Sequence, residues 1–183
     1  MDARTSAEAA RITKEAGGSI HSASITWDKT ISFLRKTTSM QIILKGIMTP
    51  EDALLAIQHG VDAIVVSNHG GRQLDSVPAT IEVLPGIAAA VAGRIPVIFD
   101  GGIRRGGDIF KALALGAHLV LIGRPVLWGL AMDGQQGVEA VLSILERELS
   151  RTMALAGTPC IADIGKEALG VCLANGAFGV ARL

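Results

Sequence analysis

Tyrosine is absent from this 183-residue chain, and all aromatic residues together make up 3% of it. Surfaces that stack nucleic-acid bases need such rings, so that class of partner is disfavoured at once. Charge of neither sign is in excess: Lys and Arg number 17, Asp and Glu 17, for a formal net charge of +0. Proteins that bind phosphate backbones or anionic membranes are usually basic, so the balance argues against both as partners. Cysteine occurs only as Cys160 and Cys172, apart from the histidines. That spacing fits no zinc motif, so no metal is expected, and the thiols are expected to be buried or idle in a reducing compartment. No apolar run is long enough to cross a membrane. The first residues lack the apolar core of a signal peptide, and Asp2, Glu8 and Glu15 are out of place in a transit peptide.

Apolar residues are plentiful at 49%, enough for a sizeable core, and the length suits one domain. Residues 1–23 are rich in Ala, Ser and Gly and read as a mobile leader. A helix is expected from Trp27 to about Lys36, with Trp27, Ile31 and Leu34 at helical spacing. Gln41–Gly46 reads as a strand. Thr49-Pro50-Glu51-Asp52 then has the form of a helix start, with a capping hydroxyl, a proline and acids near the positive end of the dipole. That helix should end near His59, with Gly60 closing it. Strands are expected at 61–67, 95–99 and 118–122, and helices at 78–92 (broken near Pro85-Gly86), 108–116, 127–132 and 137–155. One more short helix is expected near 161–169. Strand and helix alternate without hairpin signals between the units, which predicts an α/β fold with a parallel sheet. Four such units make either a small open sheet or part of a (β/α)8 barrel, since a closed barrel needs at least about 200 residues.

Polarity changes abruptly after the apolar run Ala63-Ile64-Val65-Val66. Ser67-Asn68-His69-Gly70-Gly71-Arg72 follows, at the C-terminal end of a strand, where parallel α/β folds bind ligands. His69 beside Arg72 suggests an acid-base group next to a carboxylate clamp. His21, His59 and His118 look structural. Asp100-Gly101-Gly102-Ile103-Arg104 lies between a strand and a helix, and Gly123-Arg124 repeats the arrangement one strand later. Glycine loops with arginines at helix starts suit a phosphate; the plainer reading is tight turns with solvated arginines. Lys45 in an apolar strand needs an anion, unless it snorkels to the rim.

Taken together, Ser67–Asp75, Asp100–Arg105, Phe110–Ala117 and Ile122–Pro125 resemble the signature of the FMN-dependent 2-hydroxy-acid oxidases and dehydrogenases. The similarity runs from about Trp27 to Asp163. It implies a partial (β/α)8 barrel over residues 24–170, made of about four C-terminal β-α units, with 171–183 as a tail. It also implies FMN as cofactor and a small 2-hydroxy acid, glycolate- or lactate-like, as substrate. His69 would be the base and Arg72 the clamp on the substrate carboxylate. Lys45 would lie near flavin N1 and O2, and Ser67 would touch the flavin. Asp100, Gly101, Gly102, Ile103 and Arg104 would hold the ribityl chain and phosphate, with Gly123 and Arg124 completing that site.

The departure from the family is large. Its barrel has eight strands; the half carrying its active-site tyrosines is absent here, with its Asp that orients the base, and Asp75 is not that residue. Residues 1–23 would match the variable region before the fifth strand, and Met1 looks like a start inside a longer reading frame. The alternative to an oxidase is therefore a non-catalytic FMN- or phosphate-binding half-barrel that self-associates or needs a partner half. In isolation the chain is expected to be weak in catalysis or inactive. A different phosphate-binding barrel chemistry is a third reading, which the His69–Arg72 pair counts against. Ala181-Arg182-Leu183 has the form of a peroxisomal address, so a peroxisomal location is expected, or otherwise a cytoplasmic one.

Overall fold

The structure, a computed structural model, describes residues 25–172 and 178–180. The leader at 1–23 and the address at 181–183 lie outside the described residues. Two compact units divide between Ser39 and Met40. The first carries helix α1 (Trp27–Thr37), which buries Ile31 and has Asp28 in its first turn and Arg35 and Lys36 in its last. Those charges complement the helix dipole.

The second unit is built on a parallel sheet of β1 (Ile43–Ile47), β2 (Ala63–Val66), β3 (Val97–Asp100) and β4 (Leu119–Leu121), adjacent in chain order. Every residue of β2 is buried, as expected of a parallel strand covered on both faces. Ile64, Val66, Leu84, Ile87, Val91, Val97 and Phe99 form the fully buried core. Each such side chain contributes about 1.5–3 kcal/mol relative to exposure. Among the described residues no further strand pairs with β1 or β4, and Ile43 in β1 and Leu119 in β4 are each 50% exposed. In β1 the register shifts between Lys45 and Ile47. Gly46 bulges there with φ +106°, a backbone state open to glycine.

Between the strands lie α2 (Pro50–Gln58), α3 (Thr80–Val91) and α4 (Gly106–Ala114). The start of α2 is as expected: Thr49 Oγ1 accepts the N–H of Asp52 at 3.2 Å. The expected break at Pro85 does not occur, and α3 runs through it. Proline removes one donor from the helix, but Leu84 and Ile87 on either side are fully buried, and that packing holds the two halves in line. Helix α4 begins two residues before the expected onset at 108, because Asp108 Oδ2 accepts the N–H of Arg104 at 3.0 Å and of Arg105 at 2.9 Å. The turn that follows α4 meets α3, where a Cβ on Gly116 would lie 2.6 Å from the Ala88 methyl.

Helix α5 (Arg124–Ala156) is interrupted at Asp133 and Gly134, which bears out two helical segments. The first begins at Arg124, earlier than expected, because Pro125 presets its opening turn. The segments touch through Gly129 and Gly137: a Cβ on Gly137 would lie 1.9 Å from the Gly129 carbonyl oxygen. The helix expected at 161–169 is instead two short 3₁₀ turns, Ile161–Asp163 and Lys166–Ala168. Asp163 Oδ2 takes the Cys160 N–H at 3.2 Å, a local bond that competes with helix continuation, and Gly165 follows. The tail then forms β5 (Gly170–Cys172), antiparallel to β6 (Phe178–Val180). Cys160 is exposed rather than buried. Its residue sits on the solvent side of the first of these turns, with Sγ 2.9 Å from Asp163 Oδ2.

Candidate functional site

The parallel sheet brings the C-terminal ends of all four strands to one rim, and there the sequence's polar stretches meet. After β2 the chain enters a 3₁₀ turn at His69–Gly71. His69, Gly70 and Gly71 have φ of 57°, 66° and 71°. A non-glycine residue in this left-handed region is uncommon, although His tolerates it better than most, and such strain costs on the order of 1–3 kcal/mol. Two hydrogen bonds fix the turn. The His69 N–H donates to Ser67 Oγ at 3.1 Å, and the Gly71 N–H donates to Asn68 Oδ1 at 3.2 Å. Arg124, at the start of α5, donates to the Gly70 carbonyl at 2.5 Å.

Lys45 projects from β1 across the end of β2. Its Nζ donates to Ser67 Oγ at 2.7 Å and pairs with Asp100 Oδ2 at 2.9 Å. The anion that Lys45 needs is therefore supplied by β3. Lys45 is 44% exposed and Asp100 only 16%, so one side of the pair faces water. The other carboxylate oxygen, Asp100 Oδ1, is buried with no hydrogen-bond partner among the described residues. An unsatisfied acceptor of this kind is costly, and a hydroxyl donor from a ligand would satisfy it.

Gly101 and Gly102 follow with φ of +108° and +77°. A Cβ on Gly101 would lie 2.4 Å from Thr80 Oγ1, while Gly102 and Gly123 face open space. The Arg104 guanidinium lies 5.5 Å over the centre of the Trp128 ring, a cation–π contact.

The His69–Gly70 turn, Lys45, Asp100, the glycines after it and Arg104 line a cleft of about 560 Å³. Of the residues singled out by sequence, Lys45, His69, Arg72, Asp100, Gly101, Gly102, Ile103, Arg104, Gly123 and Arg124 all border it. Ser67 does not; it is buried and lines an adjoining cleft of about 490 Å³ with Met48, Asn68, Leu74 and Val77. Lys45 and His69 border both clefts. The guanidinium groups of Arg104 and Arg124, two glycine turns and an unpaired acceptor form a donor and acceptor set that fits a phosphate joined to a hydroxylated chain. His118 is structural, as expected: its Nδ1 accepts the Val97 N–H at 3.2 Å.

The sequence reading missed Trp128, Asn68 and Glu148. Glu148 Oε2 accepts the Gly106 N–H at 2.9 Å, and Oε1 accepts from Arg105 at 3.2 Å. The Gly106 N–H, helped by the charges of Arg105 and Arg147, holds the Glu148 carboxyl below its ordinary pKa. Asn68 was legible as a turn-forming side chain. Trp128 and Glu148 carried no local signal.

Known proteins match both sequence and fold. Residues 2–171 match the family described as FMN-dependent dehydrogenase. A peroxisomal (S)-2-hydroxyacid oxidase of Arabidopsis thaliana is 58% identical over 145 residues, covering 79% of this chain and 40% of that protein. The 2-hydroxyacid oxidase 1 of Homo sapiens is 52% identical over 143 residues, 78% of this chain and 38% of that one. Among solved structures, a mandelate oxidase variant with (S)-mandelic acid superposes with a TM-score of 0.73 at 49% identity, covering 75% of this chain and 41% of that chain. A mandelate oxidase variant with a monooxide FMN adduct superposes with a TM-score of 0.72. The chain thus spans about 40% of the length of the curated relatives it matches, and its sheet is part of a barrel.

Proposed function

The chain belongs to the FMN-dependent dehydrogenase family, and from that membership we propose that it binds FMN in the larger cleft and oxidises a small 2-hydroxy acid to the 2-oxo acid. The observation that carries the reading is the convergence of His69, Arg72, Lys45 and both glycine–arginine loops on one cleft.

Arg104, Arg124 and the N–H groups of the Gly101–Gly102 and Gly123 turns hold the cofactor phosphate. Asp100 Oδ1 takes a ribityl hydroxyl. Bound FMN supplies the two-electron acceptor. Arg72, which has no ion-pair partner among the described residues, clamps the substrate carboxylate through a forked pair of hydrogen bonds. His69 takes up the proton that leaves the hydroxyl-bearing centre; its ring makes no hydrogen bond among the described residues. Lys45 sets a positive charge beside the cleft, with Asp100 keeping it in place. The substrate is glycolate- or lactate-like, and a peroxisomal setting, as in the names of the Arabidopsis relatives, is part of the proposal.

The edges of β1 and β4, which no other strand pairs among the described residues, favour a second reading. In it the chain holds FMN but turns over only after pairing with a second copy or a partner half-barrel, because uncovered edges are templates for pairing. Gel filtration of the full chain with added FMN, followed by oxidation assays with glycolate and lactate, separates the two. Flavin co-eluting with protein that oxidises either acid supports the first reading. Co-elution without turnover supports the second reading, and flavin eluting free of folded protein removes both.

A further inference from the structure

Arg104 and Arg105 are neighbours of identical chemistry, yet the structure sends them to different places. Arg104 lines the cleft, its guanidinium over Trp128. Arg105 turns away to Glu148, which also receives the Gly106 N–H. We infer that Glu148 is a positioning residue for the phosphate loop, holding Arg105 and Gly106 so that Arg104 alone is presented to the cleft.

Three observations support this. The loop before Arg104 contains two successive glycines with positive φ, a soft backbone that does not set the direction of its own side chains. Its far end is therefore what fixes it, and that end is pressed onto α5: a Cβ on Gly106 would lie 2.1 Å from the Leu149 backbone nitrogen. The two supports, Trp128 and Glu148, sit on the two segments of α5, and those segments are locked together at Gly129 and Gly137. One element thus carries both clamps, one for the Arg104 side chain and one for the backbone beside it. Asp108 completes the anchorage through the N–H groups of Arg104 and Arg105.

The inference deepens the FMN reading and rests on it. Its test compares FMN with riboflavin, which lacks the phosphate, by flavin fluorescence titration of the full chain, E148Q and G106A. E148Q keeps the side-chain shape but replaces one carboxylate oxygen with an NH2 that can only donate, so of the two bonds accepted from Arg105 and Gly106 one is lost and the other loses its charge; charge-assisted bonds are roughly twice as strong as neutral ones. FMN affinity is expected to fall about fivefold in E148Q, with riboflavin affinity unchanged. G106A, which displaces the same anchor from α5, is expected to show the same pattern. FMN affinity within twofold of the unmodified chain in E148Q would overturn the inference. So would FMN and riboflavin weakening in step, which is the mark of a role in folding alone. If the unmodified chain binds FMN no better than riboflavin, the phosphate reading itself fails and the inference falls with it.

Discussion

Removing the two glycine-loop arginines in R104A/R124A should weaken FMN binding at least a hundredfold while leaving riboflavin binding within a few-fold of its starting value. Hydrogen bonds to charged groups contribute about 1.5–3 kcal/mol each, and two of them lost at one phosphate reach that size. The two positions are not equivalent. Arg124 also donates to the Gly70 carbonyl, so R124A loosens the turn that carries His69, whereas R104A leaves that turn intact and gives up only its contact with Trp128. The single variants should therefore differ in turnover more than in FMN affinity. Fluorescence titration with both flavins checks the main claim. Equal losses for FMN and riboflavin would remove the phosphate from this cleft.

The second large effect is expected at His69. H69N should lower the rate at which glycolate or lactate bleaches the bound flavin by about 10²–10⁴-fold, the usual contribution of a positioned acid-base group, with FMN affinity retained. Asparagine is the informative replacement because the backbone here is left-handed, at φ 57°. Asn enters that region at little cost, so the turn survives while the imidazole is lost. Stopped-flow absorbance measured without oxygen reads the bleaching directly. A rate within threefold of the unmodified chain would exclude His69 as the base.

What could be read from the sequence was local. Thr49, Pro50 and the acids after them announce a helix start because a cap is satisfied within one turn. Ala63–Val66 announces a buried strand because a short, β-branched apolar run that ends in a polar loop suits an interior strand of a parallel sheet. The glycine–arginine loops and the His69 stretch were visible for the same reason: the backbone states they need are written in neighbouring residues. What could not be read depends on partners distant in the chain. Pro85 stays within a helix because the burial of Leu84 and Ile87 outweighs one missing donor. Lys45 finds Asp100 only because β1 and β3 flank β2. Glu148 meets Gly106 across 42 positions, and nothing near either residue distinguishes Arg105 from Arg104. The helix expected at 161–169 was misread because the short turns at Ile161–Asp163 and Lys166–Ala168 share their composition with a frayed helix.

The strand order β1-β2-β3-β4 has a kinetic side. Each strand bonds only to its neighbours in the chain, so opening at either end of the sheet leaves the remaining ladders whole. Local opening of this kind sets amide exchange rates. The amides of Ile64–Val66 and Val97–Phe99 should be the last in the sheet to take up deuterium, and those of Leu119–Leu121 should exchange earlier, as hydrogen–deuterium exchange would record. His69 and Arg72 follow β2, and the Gly101–Arg104 loop follows β3. The proposed base, the proposed clamp and one of the proposed phosphate loops are thus moored to the strands expected to exchange slowest. Arg124 hangs from the fraying one, so the cleft would breathe from the Gly123–Arg124 side.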